Sequence, residues 1–334
     1  MAEVSKEIIL KYLTEGESIF KYSQDSDKVL ESNAGAASKD NLVSAFHLNI
    51  ITISDLFICL AIAKLTVGTE RMILSTINYM KTTYDKELAI PDVTSAEHRL
   101  RDLVKNGFVY EFNYKRNDVS NKNQRFYTLT THTYQFLNTV LKYDESYDQF
   151  FSITPLDEVV KYLAANSVLT KLLDISKSVE EFVTKDKIFL RDSRAVEFFY
   201  GKVKTTVVRN GVEKKFVLFI EPVYYNYNKR RISQEKFEAN LETRMNVINA
   251  LVDSTMASKR KPVLLIVAEN REGMTRIMEY MAKKNPTVCQ QFMYFTTEYL
   301  VNKFGFNGTL FTFKEMVDGR VKADIKAPDF MELR

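Results

Sequence analysis

The sequence predicts an α/β chain (α+β overall) whose helical first part ends in a β-hairpin and whose second part folds around a mixed sheet. Its 334 residues suffice for two domains. In the first part a helical pattern runs directly into two aromatic, β-prone runs, and the second part alternates short β-rich runs with long helical stretches. We expect an N-terminal helix and tether in residues 1–40, one domain in 41–143, a helical linker in 144–185 and an α/β domain in 186–334.

The composition of the chain limits which partners and cofactors we expect it to bind. The chain carries 47 basic and 43 acidic residues, so a surface for a polyanion has to be a local patch. The two cysteines, Cys59 and Cys289, show no metal spacing and are typical of buried thiols, which predicts no metal and favours the reducing cytoplasm. The most apolar run, Ile50–Leu65, is too short for a bilayer and no glycine-rich phosphate loop is present, so we expect neither a membrane partner nor a cofactor.

The first elements are predicted to be helical. Apolar residues at helical spacing indicate an amphipathic helix in residues 1–22, and the polar residues 23–40 indicate a tether. Asn41–Lys64 has the pattern of one long, mostly buried helix. Gly68 and Thr69 restart the chain into a second helix, which we expect to end near Lys81.

The next stretch predicts a winged helix. Thr94 is expected to cap a helix, with the Glu97 carboxylate accepting the bond from the cap's own N–H. Asn106-Gly107 ends this helix, because glycine takes a left-handed backbone without steric cost. Phe108–Tyr114 and Arg125–Thr130 then form a hairpin around a polar loop. Helix, helix, capped helix and hairpin is the order of a winged helix-turn-helix domain.

A domain of this kind predicts contact with double-stranded DNA. Arg101 is the expected base contact, since its planar guanidinium matches guanine O6 and N7. The hairpin tip is rich in cations, which suits salt-dependent contact with phosphates. A merely solvated helix face and a solvated hairpin are the alternatives. The predicted DNA-binding residues are Thr94, Ser95, His98, Arg101 and Lys105 on the helix, and Lys115, Arg116, Lys122 and Arg125 on the hairpin.

The second part is predicted to begin near Pro155, after a closing helix at His132–Tyr143. Leu156–Phe182 has a helical pattern, and Asn210-Gly211 predicts a tight hairpin. A strand that follows a crossover helix should lie parallel in the sheet. The predicted strands are Arg194–Tyr200, Lys204–Val208, Phe216–Val223, Val263–Ala268 and Phe292–Thr296, with long helices at Ser233–Ala257 and Glu272–Lys283.

Glu221 is the candidate catalytic acid. It ends an apolar strand, where restriction-endonuclease-like nucleases place a metal-binding carboxylate. Such a site needs a second acid, for which Asp192 or Glu197 is available, and a lysine two residues after the acid of the strand. That position is Val223, and Lys236 on the next helix is a weak substitute. The sequence therefore favours a nuclease-like domain that is not catalytic.

Cations also cluster along the second part, which predicts a secondary basic patch. Lys229, Arg230 and Arg231 stand beside Tyr224 and its tyrosine neighbours, whose rings can stack on unpaired bases. The alternative is a tyrosine-rich sheet edge surrounded by solvated lysines.

The long helix predicted at Ser233–Ala257 bears on the oligomeric state. Most apolar stripes of its kind pack on their own sheet, and the alternative is a dimer contact. A homodimer suits a winged helix that binds a two-fold DNA site. The stripe consists of Phe237, Leu241, Met245, Ile248 and Leu251.

Several segments carry a family resemblance. RLRDLVKNGFV is followed by FYTLT, and later by LFIEP, EKFEANLETRMNVINAL and PVLLIVAEN. With these segments the chain resembles, over residues 42–300, the replication-relaxation family of plasmids and conjugative elements. The resemblance implies a nuclease-type second half with an incomplete catalytic set. It also implies a DNA-binding accessory factor or regulator in plasmid replication or conjugative mobilisation, with other replication or mobilisation proteins as partners.

Two alternatives stay open at the level of sequence. One is a metal-dependent endonuclease that uses Asp192 or Glu197 together with Glu221 and Lys236. The other is a transcriptional repressor whose second domain is a sensor. The winged helix does not separate a replication accessory role from repression, since both need it.

Overall fold

A computed structural model describes residues 20, 27–31, 35–116, 123–143, 154–189, 196–224, 233–255 and 259–332, without the side chains of 186–189, 196–198 and 253–255. These residues form two compact units, of which one comprises Asp25–Asn166 and the other includes Ser167–Arg334. The helix predicted at 1–22 lies, apart from Phe20, outside the described residues. Among the described helices none is long and apolar enough to cross a membrane.

The first unit is mainly helical. The prediction of one helix over Asn41–Lys64 is wrong, because the chain breaks after His47. Asn49 takes a left-handed φ of 56°, and Thr52 then starts a new helix through a capping box with Asp55. The restart at Thr69 is confirmed. The helices are α1 (Lys39–His47), α2 (Ile53–Leu65), α3 (Glu70–Thr83), α4 (Val93–Lys105) and α5 (Thr131–Leu141).

The predicted hairpin of the first unit is present and belongs to a small sheet. Gly107 ends the preceding helix with a φ of 73°, as the sequence predicted. Gly68, between α2 and α3, forms a bridge with Tyr127 on the second hairpin strand. The sheet has the order β1 (Val29–Leu30), β2 (Val109–Lys115) and β3 (Asn123–Leu129), all antiparallel. Its core includes Phe112, whose ring stacks on that of Phe126 at 5.4 Å.

The second unit is built on a seven-stranded mixed sheet. Along the chain it contains the second half of α6 (Leu156–Ile175), then β4 (Val179–Phe189), β5 (Val196–Arg209), β6 (Val212–Val223), α7 (Gln234–Thr255), β7 (Lys261–Ala268), α8 (Arg271–Lys284), α9 (Pro286–Phe292), β8 (Met293–Thr297), α10 (Glu298–Phe304), β9 (Phe311–Val317) and β10 (Arg320–Ile325). The strand order is β10-β9-β8-β7-β6-β5-β4, and the division between the two units falls within α6.

The sheet confirms two predictions of topology. Asn210 and Gly211, with φ of 51° and 74°, form the tight turn between β5 and β6. β6 and β7 are parallel and so are β7 and β8, as the crossover helices require. The described part of the run predicted at Arg194–Tyr200 forms one strand, β5, together with the run predicted at Lys204–Val208. Gly201 does not interrupt it, because the residue continues the ladder opposite Ile220.

The helix predicted over Leu156–Phe182 is too long. It ends at Ile175, where Ser176 and Ser178 join their hydroxyl groups at 2.7 Å and the Ser178 N–H donates to Ser176 Oγ at 3.2 Å. Such local serine bonds compete with the helical ladder. The chain then enters β4, so the start of the sheet lies within the predicted linker. The β9–β10 hairpin and the short helices α9 and α10 were not predicted.

The apolar stripe of α7 packs on its own sheet. Phe237, Leu241, Met245 and Ile248 are buried against strand residues such as Phe219 and Ile266, and Leu251 is partly buried there. This contact confirms the more ordinary of the two roles expected for the stripe.

Candidate nucleic-acid interface

α4 begins at Val93, so the prediction that Thr94 caps this helix is wrong. The N-cap is Asp92, whose carboxylate accepts hydrogen bonds from both the N–H and the Oγ of Ser95 at 2.9 Å. These bonds hold the pKa of the Asp92 carboxyl below its ordinary value. Asp92 is the stronger cap because its two oxygens satisfy two donors of the first turn. Thr94 therefore lies within the first turn, where it is exposed.

The inner face of α4 is fixed by an arginine that the sequence reasoning missed. Arg99 donates from Nε and Nη2 to the two carboxylate oxygens of Asp55, each at 2.8 Å. Its Nη2 also donates to the Ile50 carbonyl at 2.8 Å, and its Nη1 to Asp102 at 3.1 Å. A bidentate pair of this kind locks α4 onto the start of α2. An isolated aspartate within the apolar run Ile50–Leu65 was the available signal.

Asp55 is held charged in spite of its burial. Burial alone would raise the pKa of its carboxyl, but hydrogen bonds from Arg99 and Thr52 outweigh burial and keep the pKa below the ordinary value. The same carboxylate accepts the N–H and the hydroxyl of Thr52 in the capping box. The buried Asp55 carboxylate therefore determines both where α2 begins and how α4 packs against it.

The outer face of α4 carries the predicted contact residues of the helix. Thr94, Ser95, His98, Arg101 and Lys105 are all exposed, whereas Ala96, Leu100 and Leu103 are buried. The side chain of Arg101 is 70% exposed and pairs with Glu97 one turn earlier at 3.3 Å. A pair between neighbouring turns of an exposed helix stabilises by only about 0.3–0.5 kcal/mol, so the guanidinium is easily released to a ligand.

The hairpin places only part of the predicted cationic tip in solvent. Lys115 is exposed, Arg116 is half-buried, and Lys122 lies outside the described residues. Arg125 is 70% exposed and lies 3.5 Å from Glu111 on the neighbouring strand. Burial raises the pKa of Glu111, and Arg125 opposes this shift.

Charges on the helix and on the hairpin both act on the pKa of Tyr127. Burial raises the pKa of Tyr127 to about 12, and the charges of Glu111 and Glu70 raise it further, while Arg125 and Arg101 oppose the shift. Both arginines therefore lie close enough to the same β3 side chain to act on it. The acids Glu70 and Glu111 also lie there, which the sequence reasoning did not consider.

Glu221, the candidate catalytic acid, is buried and neutralised. It is 3% exposed, and its Oε1 lies 2.8 Å from Nε of Arg244 on α7. The Arg244 guanidinium lies 5.9 Å from the centre of the Phe199 ring. An arginine beside the carboxylate competes directly with a metal ion for the same lone pairs.

The other residues of the nuclease alternative are only partly described. Asp192 and the side chain of Glu197 lie outside the described residues, although the Glu197 backbone pairs with Ile188 in the sheet. Lys236 is exposed on the first turn of α7, more than two turns before Arg244. Where side chains are described, no group of three or more His, Cys, Asp or Glu residues is arranged to hold a metal ion. The secondary patch Lys229–Arg231 also lies outside the described residues.

Two more buried carboxylates were not predicted. Glu269 directly follows β7 and is 5% exposed, and Glu298 follows β8 and is fully buried. Together with Glu221 they place acids at the carboxyl ends of three neighbouring strands. For Glu269 the available signal was the apolar run PVLLIVA, which is followed by a glutamate as the run before Glu221 is.

Comparison with known proteins adds no relative to these observations. No protein-family model matches the chain. Searches of curated proteins and of solved structures find no match either.

Proposed function

We propose that the protein binds double-stranded DNA through a winged helix in the unit Asp25–Asn166, with α4 in the major groove and the β2–β3 hairpin as the wing. The observation that carries the proposal is the order of elements around α4. Gly68 supplies a one-residue strand between α2 and α3, bridged to Tyr127 of β3, and the hairpin follows α4 directly. Helix, short strand, two helices and a hairpin is the arrangement of winged-helix domains.

The exposed side chains of these elements suit two kinds of DNA contact, one to a base and others to phosphates. Arg101 has the planar donor pair that recognises guanine, and its partner Glu97 binds it only weakly. Lys105, Lys115 and Arg125 are exposed around it and suit phosphate contact. His98 lies on the same exposed face. The proposed interface therefore combines one base-reading residue with several backbone-positioning cations.

We include in the proposal a second unit that is nuclease-like but not catalytic. The succession α6, β4, β5, β6, α7 and β7, with three antiparallel strands and then a parallel one, suits a restriction-endonuclease-like core. The pairing of Glu221 with Arg244, and Val223 in place of a lysine, argue against metal-dependent cleavage. The resemblance to the replication-relaxation family suggests an accessory factor or regulator of plasmid replication or mobilisation, acting as a homodimer.

The test is DNA binding by the purified full-length protein. Fragments from around its own gene are titrated at two salt concentrations, with and without magnesium, and the same DNA is inspected for cleavage. We expect binding that weakens as salt rises, does not require magnesium and leaves the DNA intact. Magnesium-dependent cleavage that Glu221→Gln abolishes would replace the proposal with the endonuclease alternative.

A matched pair of variants assigns the binding to α4. Arg101→Ala combined with Lys105→Ala should weaken binding about 10-fold or more, because two contacts to DNA are lost. The control combines Lys39→Ala with Lys161→Ala, which removes the same charge from the same unit outside α4 and the hairpin. Equal affinities for the two double variants would show that α4 is not the contact.

A further inference from the structure

A cleft in the second unit combines an unusual density of cations with an open shape. Its volume is about 430 Å³. Five cations and a single carboxylate, Glu213, belong to its lining. We call it the basic cleft, and the residues that matter for its chemistry are Lys214, Lys215, Lys259, Arg260, Lys261 and Phe292.

The strand register explains why these cations converge. Phe216 of β6 lies beside Lys261 of β7 at the amino edge of the two parallel strands. The lysines that precede Phe216 on β6 therefore lie next to the cations that lead into β7. Glu221 is five residues further along β6, about 17 Å away. The basic cleft is thus separate from the region of the candidate catalytic acid.

Two of the cations have no acidic partner within the described chain. Lys214 and Lys259 are exposed and form no ion pair with any residue that the structure describes. The other cations are partly neutralised: Lys215 pairs with Glu213 at 3.1 Å, Arg260 with Glu180 at 2.7 Å, and Lys261 lies 4.0 Å from Asp329. The surface therefore keeps a net positive charge that an external anion can neutralise.

We propose that the basic cleft binds the phosphodiester backbone of DNA as a second contact surface, an inference that rests on the proposed DNA-binding function for the nature of its ligand. Its cations are mostly exposed lysines on flexible stems, which act as point charges and impose little geometry. A backbone that repeats its charge along an open surface suits such a site. A compact phosphorylated ligand is instead usually fixed by backbone N–H groups at a helix N-terminus, and the helix that borders this cleft, α7, presents its carboxyl end through Val252.

The test measures the affinity and the salt dependence of full-length protein for a fluorescein-labelled, mixed-sequence 24-bp duplex. Lys214→Ala combined with Lys259→Ala should weaken binding about 10-fold at 100 mM salt, and the slope of log K against log salt should fall by about 1.8, for two lost phosphate contacts. Lys314→Ala combined with Lys322→Ala is the matched control, because these exposed lysines lie on β9 and β10 of the same sheet, and it should change neither value.

The α4 double variant Arg101→Ala and Lys105→Ala separates this inference from the proposed function. A cleft variant that binds like the control, while the α4 variant is weakened, would overturn the inference and leave the function intact. A loss confined to the cleft variant would support the inference and remove α4 from the proposal.

Two further readouts exclude other roles of the cations. Lys259 follows the carboxyl end of α7, where a cation also favours the helix dipole. If the cleft variant unfolds at the same temperature as the wild type, its weaker binding reflects lost contact with DNA. A loss of binding that merely parallels a lower unfolding temperature would overturn the inference. The second readout is calorimetry with inorganic tripolyphosphate, a small phosphorylated ligand. Binding of tripolyphosphate that the cleft variant loses, together with unchanged duplex affinity, would assign the cleft to a small phosphorylated ligand and overturn the inference.

Discussion

Arg99 and Arg101 lie two residues apart on α4, and the structure predicts opposite consequences for their loss. Arg99→Met removes both hydrogen bonds to the Asp55 carboxylate, which is 1% exposed and remains in the interior. Removing one partner of a buried pair costs about 3–5 kcal/mol. The side chain of Arg99 is 37% exposed, so we expect the lower end of this range, about 3 kcal/mol.

Arg101→Met is the matched control for this prediction. It makes the same substitution on the same helix, but it removes only an exposed contact with Glu97, so stability should fall by about 0.5 kcal/mol or less. The assay is thermal unfolding followed by circular dichroism. For a unit the size of Asp25–Asn166, a loss of about 3 kcal/mol lowers Tm by about 10 °C. At temperatures below the unfolding transitions of both variants, DNA affinity should show the opposite order. Arg101→Met should bind more weakly than Arg99→Met, because it loses the proposed base contact.

The pH dependence gives the same prediction a second readout. In the wild type the pKa of Asp55 is depressed, so the stabilisation from its charge is present at neutral pH and is lost as pH falls through that low pKa. In Arg99→Met, burial of Asp55 is no longer offset by the arginine, so the pKa rises and the carboxyl takes up a proton at a higher pH. The deficit of the variant should therefore shrink as pH falls from neutrality towards the ordinary pKa of a carboxyl. A deficit that is equal for both arginine variants, or constant over this interval, would refute the reasoning.

Three other perturbations test separate parts of the structure. Arg244→Met should lower the free energy of unfolding in urea by about 3 kcal/mol, because the Glu221 carboxylate stays buried without the arginine. Adding Glu221→Gln to this variant should restore part of the loss, whereas a loss caused only by changed packing would not be restored. Gly107→Ala should destabilise the protein by about 2 kcal/mol or more, since a Cβ at this φ of 73° would lie 2.3 Å from a carbonyl oxygen. Gly211→Ala, with a φ of 74° and open space around it, should destabilise by only about 1 kcal/mol. Equal losses for the two variants would contradict the steric argument. The two cysteines should not react with Ellman's reagent at pH 8 until the protein is unfolded, because burial raises the pKa of both thiols.

Local backbone chemistry explains which parts of the fold were predictable. Asn106-Gly107 and Asn210-Gly211 need a left-handed backbone wherever they occur, so both turns appear at the predicted places. The helix ends set by Asp92 and Ser176 were missed, because several neighbouring side chains compete for the same donors. Which cap prevails depends on small energy differences that a residue pattern does not carry.

The candidate site was less predictable because its main features are pairs between distant segments. The exposed face of α4 follows from helical periodicity alone, and its residues lie where the sequence placed them, with Thr94 exposed but not the cap. Asp55 with Arg99, and Glu221 with Arg244, join residues that are far apart in sequence. The sequence alone does not distinguish either arginine from the exposed cations around it.

The sheet of the second unit separates its charges, and this separation distinguishes two positions for DNA. Buried carboxylates lie near the carboxyl end of β6 and directly after β7 and β8, whereas the basic cleft lies at the amino edge of β6 and β7. An endonuclease would need the scissile phosphate at the carboxyl edge, beside Glu221. Electrostatics instead favours the amino edge, because an anionic backbone is attracted to the exposed lysines there.

A tethered cleavage reagent can report which edge of the sheet lies near DNA. Both native cysteines are buried, so a thiol-directed iron–EDTA reagent should attach only to an introduced cysteine. Glu213→Cys places the reagent at the basic cleft, and Glu272→Cys places it on the first turn of α8, just beyond the carboxyl end of β7. The two positions are matched, since each is an exposed glutamate paired with a nearby cation. We expect cleavage of bound duplex from position 213 and little from position 272; the reverse would place the backbone at the carboxyl edge and reopen catalysis at Glu221.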